Sequence, residues 1–439
     1  MQKRTPPQWA WPAWLITLLA GVLVLTFDIG TETVYTMRDL VAFLVVMIAV
    51  MACIPDDGTS ALPSLLYLII PSVVIKGVWE GGWSPYTIWL FTFGFFPVAD
   101  IVIGDDVLNQ SKEEQKALHH TRLFRLVTLL VVPVQIGLLC WGAYTANNGV
   151  AGAPLTTSDL IGMGLGVGLF TGAIGITVAH ELCHKGGLLE PLSGRFLMCS
   201  VCYGHFHVEH TLGHHKAIAT DEDPASARYG ETFYAFLPRV VLGEYLSAWH
   251  IELHRLRAKR LPAWHNEMVW YTVVSAAICA ALCKAFGSAA VPFFAIQSIT
   301  AILLFESVNY LEHYGLERRE VEGAADAGAE KAHRPGLLQK RYEPVTAMHS
   351  WDTAARLTNT LLFKLQRHAD HHAHAGKRFQ TLQLDQRSPQ LPSGYATCIL
   401  LAFVPPLWRA VMHPRLMAFR ATQKGQIWRH GPQPHVKAA

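Results

Sequence analysis

The stretch that decides the fold reads Leu160-Ile-Gly-Met-Gly-Leu-Gly-Val-Gly-Leu-Phe-Thr-Gly-Ala-Ile-Gly-Ile-Thr-Val-Ala179 and runs on without a break into His180-Glu-Leu-Cys-His184-Lys185. Residues 160–179 carry no charge and are long enough to cross a bilayer as one helix. His180 and His184 stand at i and i+4, so a helix puts both imidazoles on one face. An apolar span that ends in a pair of metal-binding side chains sets what to look for elsewhere.

Working outward, the composition fits a membrane chain. Of 439 residues, 51% are hydrophobic and 16% charged, and mean hydropathy is +0.24. Further spans are expected at 11–27, 40–55, 62–79, 86–104, 126–144, 268–286 and 291–310. The first of these reads as an uncleaved signal anchor. Pro133 and the glycines of 162–175 are tolerable in spans, where neighbouring helices re-satisfy the backbone. The expected fold is an all-α integral membrane protein. It has about six core transmembrane helices, an N-terminal two-helix hairpin (1–60) and a cytoplasmic, helical, histidine-rich cap. The membrane-embedded domain covers 61–414, and a polar tail covers 415–439.

Orientation follows the basic residues of short loops. Lys112, Lys116, Arg122 and Arg125 lie in 105–125, and Arg255, Arg257, Lys259 and Arg260 lie in 180–265. Residues 147–158 carry no charge. Eight spans with the N-terminus inside put every basic loop on the cytoplasmic side. Residues 232–246 read as an interfacial helix, since Arg239 and Glu244 interrupt the run. Pro405 and Pro406 make 396–412 a re-entrant or surface piece, and 317–340 reads as a solvated loop. A net charge of +3 is too mild to indicate a nucleic-acid partner. The eight cysteines form no zinc-ribbon or rubredoxin pattern and read as buried free thiols.

Histidine is the outlier, with 22 copies. Besides His180 and His184, one segment reads His205-Phe-His207-Val-Glu209-His210-Thr-Leu-Gly-His214-His215. His210 and His214 repeat the i, i+4 spacing, and His215 turns about 100° away, toward a second metal. A third segment is Asn309-Tyr-Leu-Glu312-His313-Tyr-Gly315, and a fourth is Leu365-Gln-Arg-His368-Ala-Asp370-His371-His372-Ala-His374. Imidazole suits Zn, Cu, Fe and Ni. The set exceeds the four ligands of one structural zinc site and suggests two metals. Glu181, Glu209, Asp223, Glu312 and Asp370 lie in or near these segments and are candidates to orient the imidazoles.

These segments resemble the signatures of the bacterial alkane 1-monooxygenase (alkane ω-hydroxylase) family, as does Pro392-Ser-Gly-Tyr395. The Asn309–Leu316 motif is the specific one, because membrane desaturases share histidine boxes but lack it. The resemblance implies two irons held by His180, His184, His210, His214, His215, His313, His368, His371 and His372, leaving His205, His207 and His374 as extras. It also implies O2 as co-substrate, an alkane arriving from the bilayer, and electrons from a separate rubredoxin and rubredoxin reductase. The chain itself shows no flavin or nicotinamide fingerprint. Arg255–Arg260, Arg318, Arg319, Lys340 and Arg341 are candidate docking residues for an acidic rubredoxin. The implied setting is the bacterial inner membrane with the site facing the cytoplasm. Glycines of 162–175 and aromatics of 89–96 are candidates to line a substrate tunnel. Cys183 departs from the family pattern and reads as space-filling. Competing readings are a fatty-acyl desaturase, a hydroxylase of methyl groups on aromatics or fatty acids, and a histidine-rich metal transporter or sensor.

Overall fold

A computed structural model describes residues 61–321, 340–423 and 426–434. The hairpin expected over 1–60, with its spans 11–27 and 40–55, lies outside the described residues. Those described are helical, joined by loops with a few isolated bridges.

A 3-10 turn, Leu62–Leu68, leads into α1 (Ile69–Glu80). Then follow α2 (Ser84–Ile103), the amphipathic α3 (Lys112–His119), α4 (Arg122–Asn148) and α5 (Thr157–Cys183). Helix α6 is Leu189–Cys199, and a helical segment 206–217 carries the second histidine group. The rest are α7 (Phe233–Lys259), α8 (Glu267–Phe286), α9 (Ala290–His313), α10 (Arg356–Leu361), α11 (His368–Ala373), α12 (Tyr395–Ala402) and α13 (Pro405–Thr422).

Among the described residues, α2, α4, α5, α8 and α9 are long and apolar enough to cross a membrane. Helices α12 and α13, bent by 120°, make a sixth if the pair is one broken span. The expected span 62–79 is instead the 3-10 turn plus a twelve-residue helix. The interfacial stretch 232–246 is the first half of α7, whose 27 residues run from a Thr232 cap to a left-handed Arg260. Helix α13 passes the expected boundary at 414 and ends at Thr422. Beyond it Trp428 is buried, with Arg420 stacked on its ring at 4.4 Å.

Helix α5 is the hub. Its apolar window is 83% buried, whereas that of α8 is 17% buried and lies mostly on the outside of the bundle. The glycine run explains this position. A Cβ at Gly168 would meet Gln297 O at 2.7 Å, and one at Gly172 would meet Ala301 Cα at 2.8 Å, so α9 lies directly against the α5 backbone. Small residues at the contact are how membrane helices gain close packing where burial of apolar surface gives no drive. Polar side chains tie the same bundle together. Gln297 Nε2 donates to Ser200 O (3.0 Å), and Thr171 Oγ1 donates to Gln297 Oε1 (3.0 Å). The C-terminal ends of α5 and α9 therefore arrive side by side, which brings His180 and His313 to the same end of the bundle.

Candidate metal centre

The nine histidines converge in two groups. His180, His184, His210, His215 and His371 form one, and His214, His313, His368 and His372 form the other, with ligand atoms in each within 4.8 Å of one another. The groups abut, with the His215 and His372 rings 4.5 Å apart. His180 and His184 share a group, as their spacing predicts. The segment 206–217 corrects the expected pairing. His210 shares its group with His215, at 3.0 Å between Nε2 atoms, while His214 turns to the other group and lies 3.3 Å from His372 Nε2. The cause is local. Residues His210–His214 are π-helical, and the His215 N–H reaches the His210 carbonyl. A π turn closes i→i+5 bonds, so i and i+5 share a face. In α11 the ordinary helical register holds: His368 and His372 share a group, and the intervening His371 serves the other.

The arrangement has the chemistry a metal needs. Imidazole nitrogens face each other at 2.6 Å (His180 to His210) and 2.8 Å (His372 to His368). Buried and without a protein partner are His184 Nε2, His371 Nε2 and both ring nitrogens of His313. A buried polar atom without a partner costs about 1–3 kcal/mol, and a convergent set of such nitrogens is the donor set a metal ion would satisfy. Burial, reinforced by neighbouring imidazoles, holds His210, His215, His368, His371 and His372 well below the ordinary histidine range, and burial pushes His184 down to about 3. These rings are neutral at pH 7, the form that coordinates.

The five candidate carboxylates divide. Asp223 Oδ2 accepts from His214 Nδ1 at 3.0 Å and is itself fixed by Ser226 Oγ at 2.6 Å. Glu312 Oε2 lies 3.1 Å from His368 Nε2, and its other oxygen accepts from the Tyr395 hydroxyl. The other three hold scaffold. Glu181 pairs with Lys185 and accepts from Phe379 N, Asp370 holds Lys377 and Gln383 N, and Glu209 accepts from Ser247. Of the extra histidines, His205 meets the Tyr203 ring edge to face, His207 pairs with Arg195, and His374 lies outward on Asp370. None belongs to either group.

A family model described as fatty acid desaturase matches residues 158–402, which hold all nine histidines. Alkane 1-monooxygenase 2 of Pseudomonas aeruginosa is 41% identical over 349 residues, covering 78% of this chain and 87% of its own length. Alkane 1-monooxygenase 1 of the same organism is 41% identical over 78% of this chain and 85% of its own. Alkane 1-monooxygenase 2 of Alcanivorax borkumensis is 37% identical over 85% of this chain and 94% of its own. The chain belongs to the alkane 1-monooxygenase family. It is a multi-pass membrane oxidoreductase.

This family member carries functional groups that its histidine spacing does not announce. Asp352 Oδ1 accepts from Ala369 N at 2.7 Å and so fixes the start of α11. Tyr203 bridges Glu244 (2.9 Å) and Glu306 (2.8 Å), all buried. An ionisable residue inside an apolar span, as Glu306 is, was the available signal. An apolar cavity lies between α2, α5, α9, α10 and α12, lined by Phe93, Phe96, Gly172, Thr177, Leu365 and Tyr395 among others. At about 80 Å3 it is several times the roughly 10–15 Å3 that one water needs. Of the residues named as candidates for a substrate tunnel, Phe93, Phe96 and Gly172 line this cavity, while Gly162, Gly164, Gly166 and Gly168 pack against neighbours. Cys183 is buried and belongs to neither histidine group; its sulfur faces Gly194. Arg318 corrects the docking expectation. It is 1% exposed and donates to Glu343 O and Lys216 O, so it cannot meet a partner.

Proposed function

We propose that the protein hydroxylates the terminal carbon of medium- to long-chain n-alkanes, giving 1-alkanols, at two irons held by His180, His184, His210, His215 and His371 on one side and His214, His313, His368 and His372 on the other. The observation that carries this is the pair of convergent imidazole groups together with an apolar cavity whose wall includes Tyr395, the hydroxyl that holds Glu312 beside His368. The irons, when bound, would supply O2 activation and the oxidising power to break a terminal C–H bond, with two electrons from outside the chain.

The protein's own part is placement and exclusion of water. Thr177 lines the cavity one turn before His180, and Leu365 lines it three residues before His368, so the helical segments that carry these histidines also form part of its wall. An alkane has no polar handle, so the wall must select by shape. Such discrimination is worth only about 1–3 kcal/mol per methylene, which fits a range of chain lengths. All four histidines of the second group are buried, which keeps bulk water away. Asp223 fixes the His214 tautomer, and Glu312, held by Tyr395, neutralises part of the cationic charge beside His368. Electrons come from rubredoxin and its reductase, and the exposed Arg257, Lys259, Arg260, Arg319 and Lys340 offer an acidic donor its counter-charge. The bacterial inner membrane with a cytoplasmic site follows from the basic loops beside the histidines.

The test is gas chromatography of products from an n-alkane panel incubated with protein, rubredoxin, reductase and NADH. Primary alcohols are expected. Desaturated chains with no alcohol would sink the reading in favour of desaturation. Metal analysis should find two irons per chain, and zinc alone after anaerobic preparation would remove the di-iron basis.

A further inference from the structure

Tyr203 sits in an arrangement that metal binding does not use. Its hydroxyl lies 2.9 Å from Glu244 Oε2 and 2.8 Å from Glu306 Oε1. Tyr203 is buried, and so are both glutamates. A phenol has one proton to donate. It satisfies one carboxyl group, so the second contact needs a carboxylic acid that donates to the phenol oxygen. Asn309 Nδ2 donates to Glu306 Oε2 at 3.1 Å, whereas Glu244 Oε1 has no partner. Glu306 is therefore the acceptor, and Glu244 holds the proton. An ionisable side chain at such a place in a membrane helix is costly and marks function.

Aromatic rings extend from this phenol in both directions. Inward, the Tyr203 and Phe206 rings are 6.4 Å apart, and Phe206 stacks on His210 at 4.5 Å and stands 6.2 Å from His180. Both histidines belong to the first group. Outward, Tyr203 meets His205 at 4.3 Å, His205 meets Tyr245 at 5.5 Å, and Tyr245 meets Trp249 at 6.4 Å. Tyr245 is 40% exposed, so the series ends at the surface of α7. No step along it exceeds 6.4 Å between ring centroids.

Phenol and indole side chains give up an electron only to a strong oxidant. The ordinary supply of low-potential electrons therefore passes them by. A centre that has met O2 with no alkane at hand is oxidant enough. A buried phenol that loses an electron also loses its proton, and that proton needs a base at hydrogen-bond distance. Glu306 is that base.

We infer that Tyr203, Tyr245 and Trp249 form a relay that discharges the metal centre when O2 reacts there without an alkane, and so spares the histidines from oxidation. The inference rests on the proposed O2 chemistry at the nine histidines. Tyr203 yields one electron inward, and its hydroxyl proton passes to Glu306. The Glu244 acid keeps its hydrogen bond to the phenoxyl oxygen. Tyr245, backed by Trp249, then supplies an electron to Tyr203, and Glu306 returns the proton. The outer ring releases its own proton to solvent and is refilled, electron and proton, by a soluble one-electron reductant. Each pass removes one oxidising equivalent and leaves Tyr203 as it began. An alkane in the cavity consumes the oxidant first, so the relay stays idle during hydroxylation.

The test uses the full chain in lipid nanodiscs, loaded with ferrous ion and mixed with O2 in the absence of alkane. Freeze-quench paramagnetic resonance should show a tyrosyl signal that ring-deuterated tyrosine narrows and Tyr203→Phe removes. Tyr245→Phe changes an exposed ring away from the metal site, so it should bind iron and give the wild-type yield of alkanol per turnover when alkane is present. Without alkane it should prolong the tyrosyl signal several-fold. After repeated exposure to O2, peptide mass spectrometry should find oxidation on Tyr245 and Trp249 in wild type. In Tyr245→Phe the oxidation should move to the histidine segments, with iron lost several-fold sooner. A signal that survives Tyr203→Phe, as one carried by Tyr395 would, overturns the relay. Equal oxidation of the histidine segments in wild type and Tyr245→Phe does the same, and in both cases hydroxylation stands. A wild-type protein that takes up iron but neither consumes O2 nor forms 1-alkanol overturns the proposed function, and the relay with it.

Discussion

At the scale of single residues, what matters is which atom backs which imidazole. Asp223 is the carboxylate that accepts from the far nitrogen of a grouped histidine, His214. Outer partners of this kind typically contribute 10–100-fold in metal affinity or activity. Asp223→Ala should lower the metal content of purified protein by elemental analysis and cut turnover by about that factor. Glu181→Gln should do neither, because Glu181 holds Lys185 and the Phe379 amide rather than an imidazole. Cys183→Ala tests the remaining departure from the family pattern. Its sulfur packs at Gly194, so the change should cost on the order of 1 kcal/mol in thermal stability and leave metal content untouched.

At the scale of elements, register decides function. The i, i+4 pairs at 180/184 and 368/372 were legible because ordinary helices realise them. The pairing of His210 with His215 was not, because the sequence of 206–217 carries no mark of its π turn. Asp352 was hidden as well, since seventeen residues separate it from the amide it holds at Ala369. The general plan was readable: apolar spans, a basic side, and the four histidine segments. Partners among the carboxylates were not: Glu209 adjoins His210 in sequence yet accepts from Ser247, while Asp223, eight residues beyond His215, accepts from His214. Asp352 also yields a pH prediction. Burial pushes its carboxyl from the ordinary 3.8 up to about 7. The stability tied to its neutral form is complete below 3.8 and is lost as pH rises through about 7. Asp352→Asn keeps an oxygen for Ala369 N and removes the ionisation. Its thermal midpoint should fall less than that of wild type as the pH is raised through that window, as differential scanning fluorimetry would read.

At the scale of the whole molecule, the bundle is organised by α5 lying against α9. Gly172→Leu would force a side chain into Ala301 backbone, and overpacking of this kind typically costs about 1–3 kcal/mol. The thermal midpoint should drop, and because Gly172 also lines the cavity, the product panel should shift to shorter alkanes. A panel that keeps its longest members would show that the substrate chain does not pass this residue. The two adjacent pairs His214/His215 and His371/His372 carry a further consequence, because each sends one ring to each group. Filling one group orders the backbone that presents the other. Metal uptake should therefore be cooperative, with half-filled protein scarce throughout a titration. Native mass spectrometry of apoprotein titrated with ferrous ion should show mainly zero and two ions per chain, and a dominant one-ion species would mean that the two sites assemble independently.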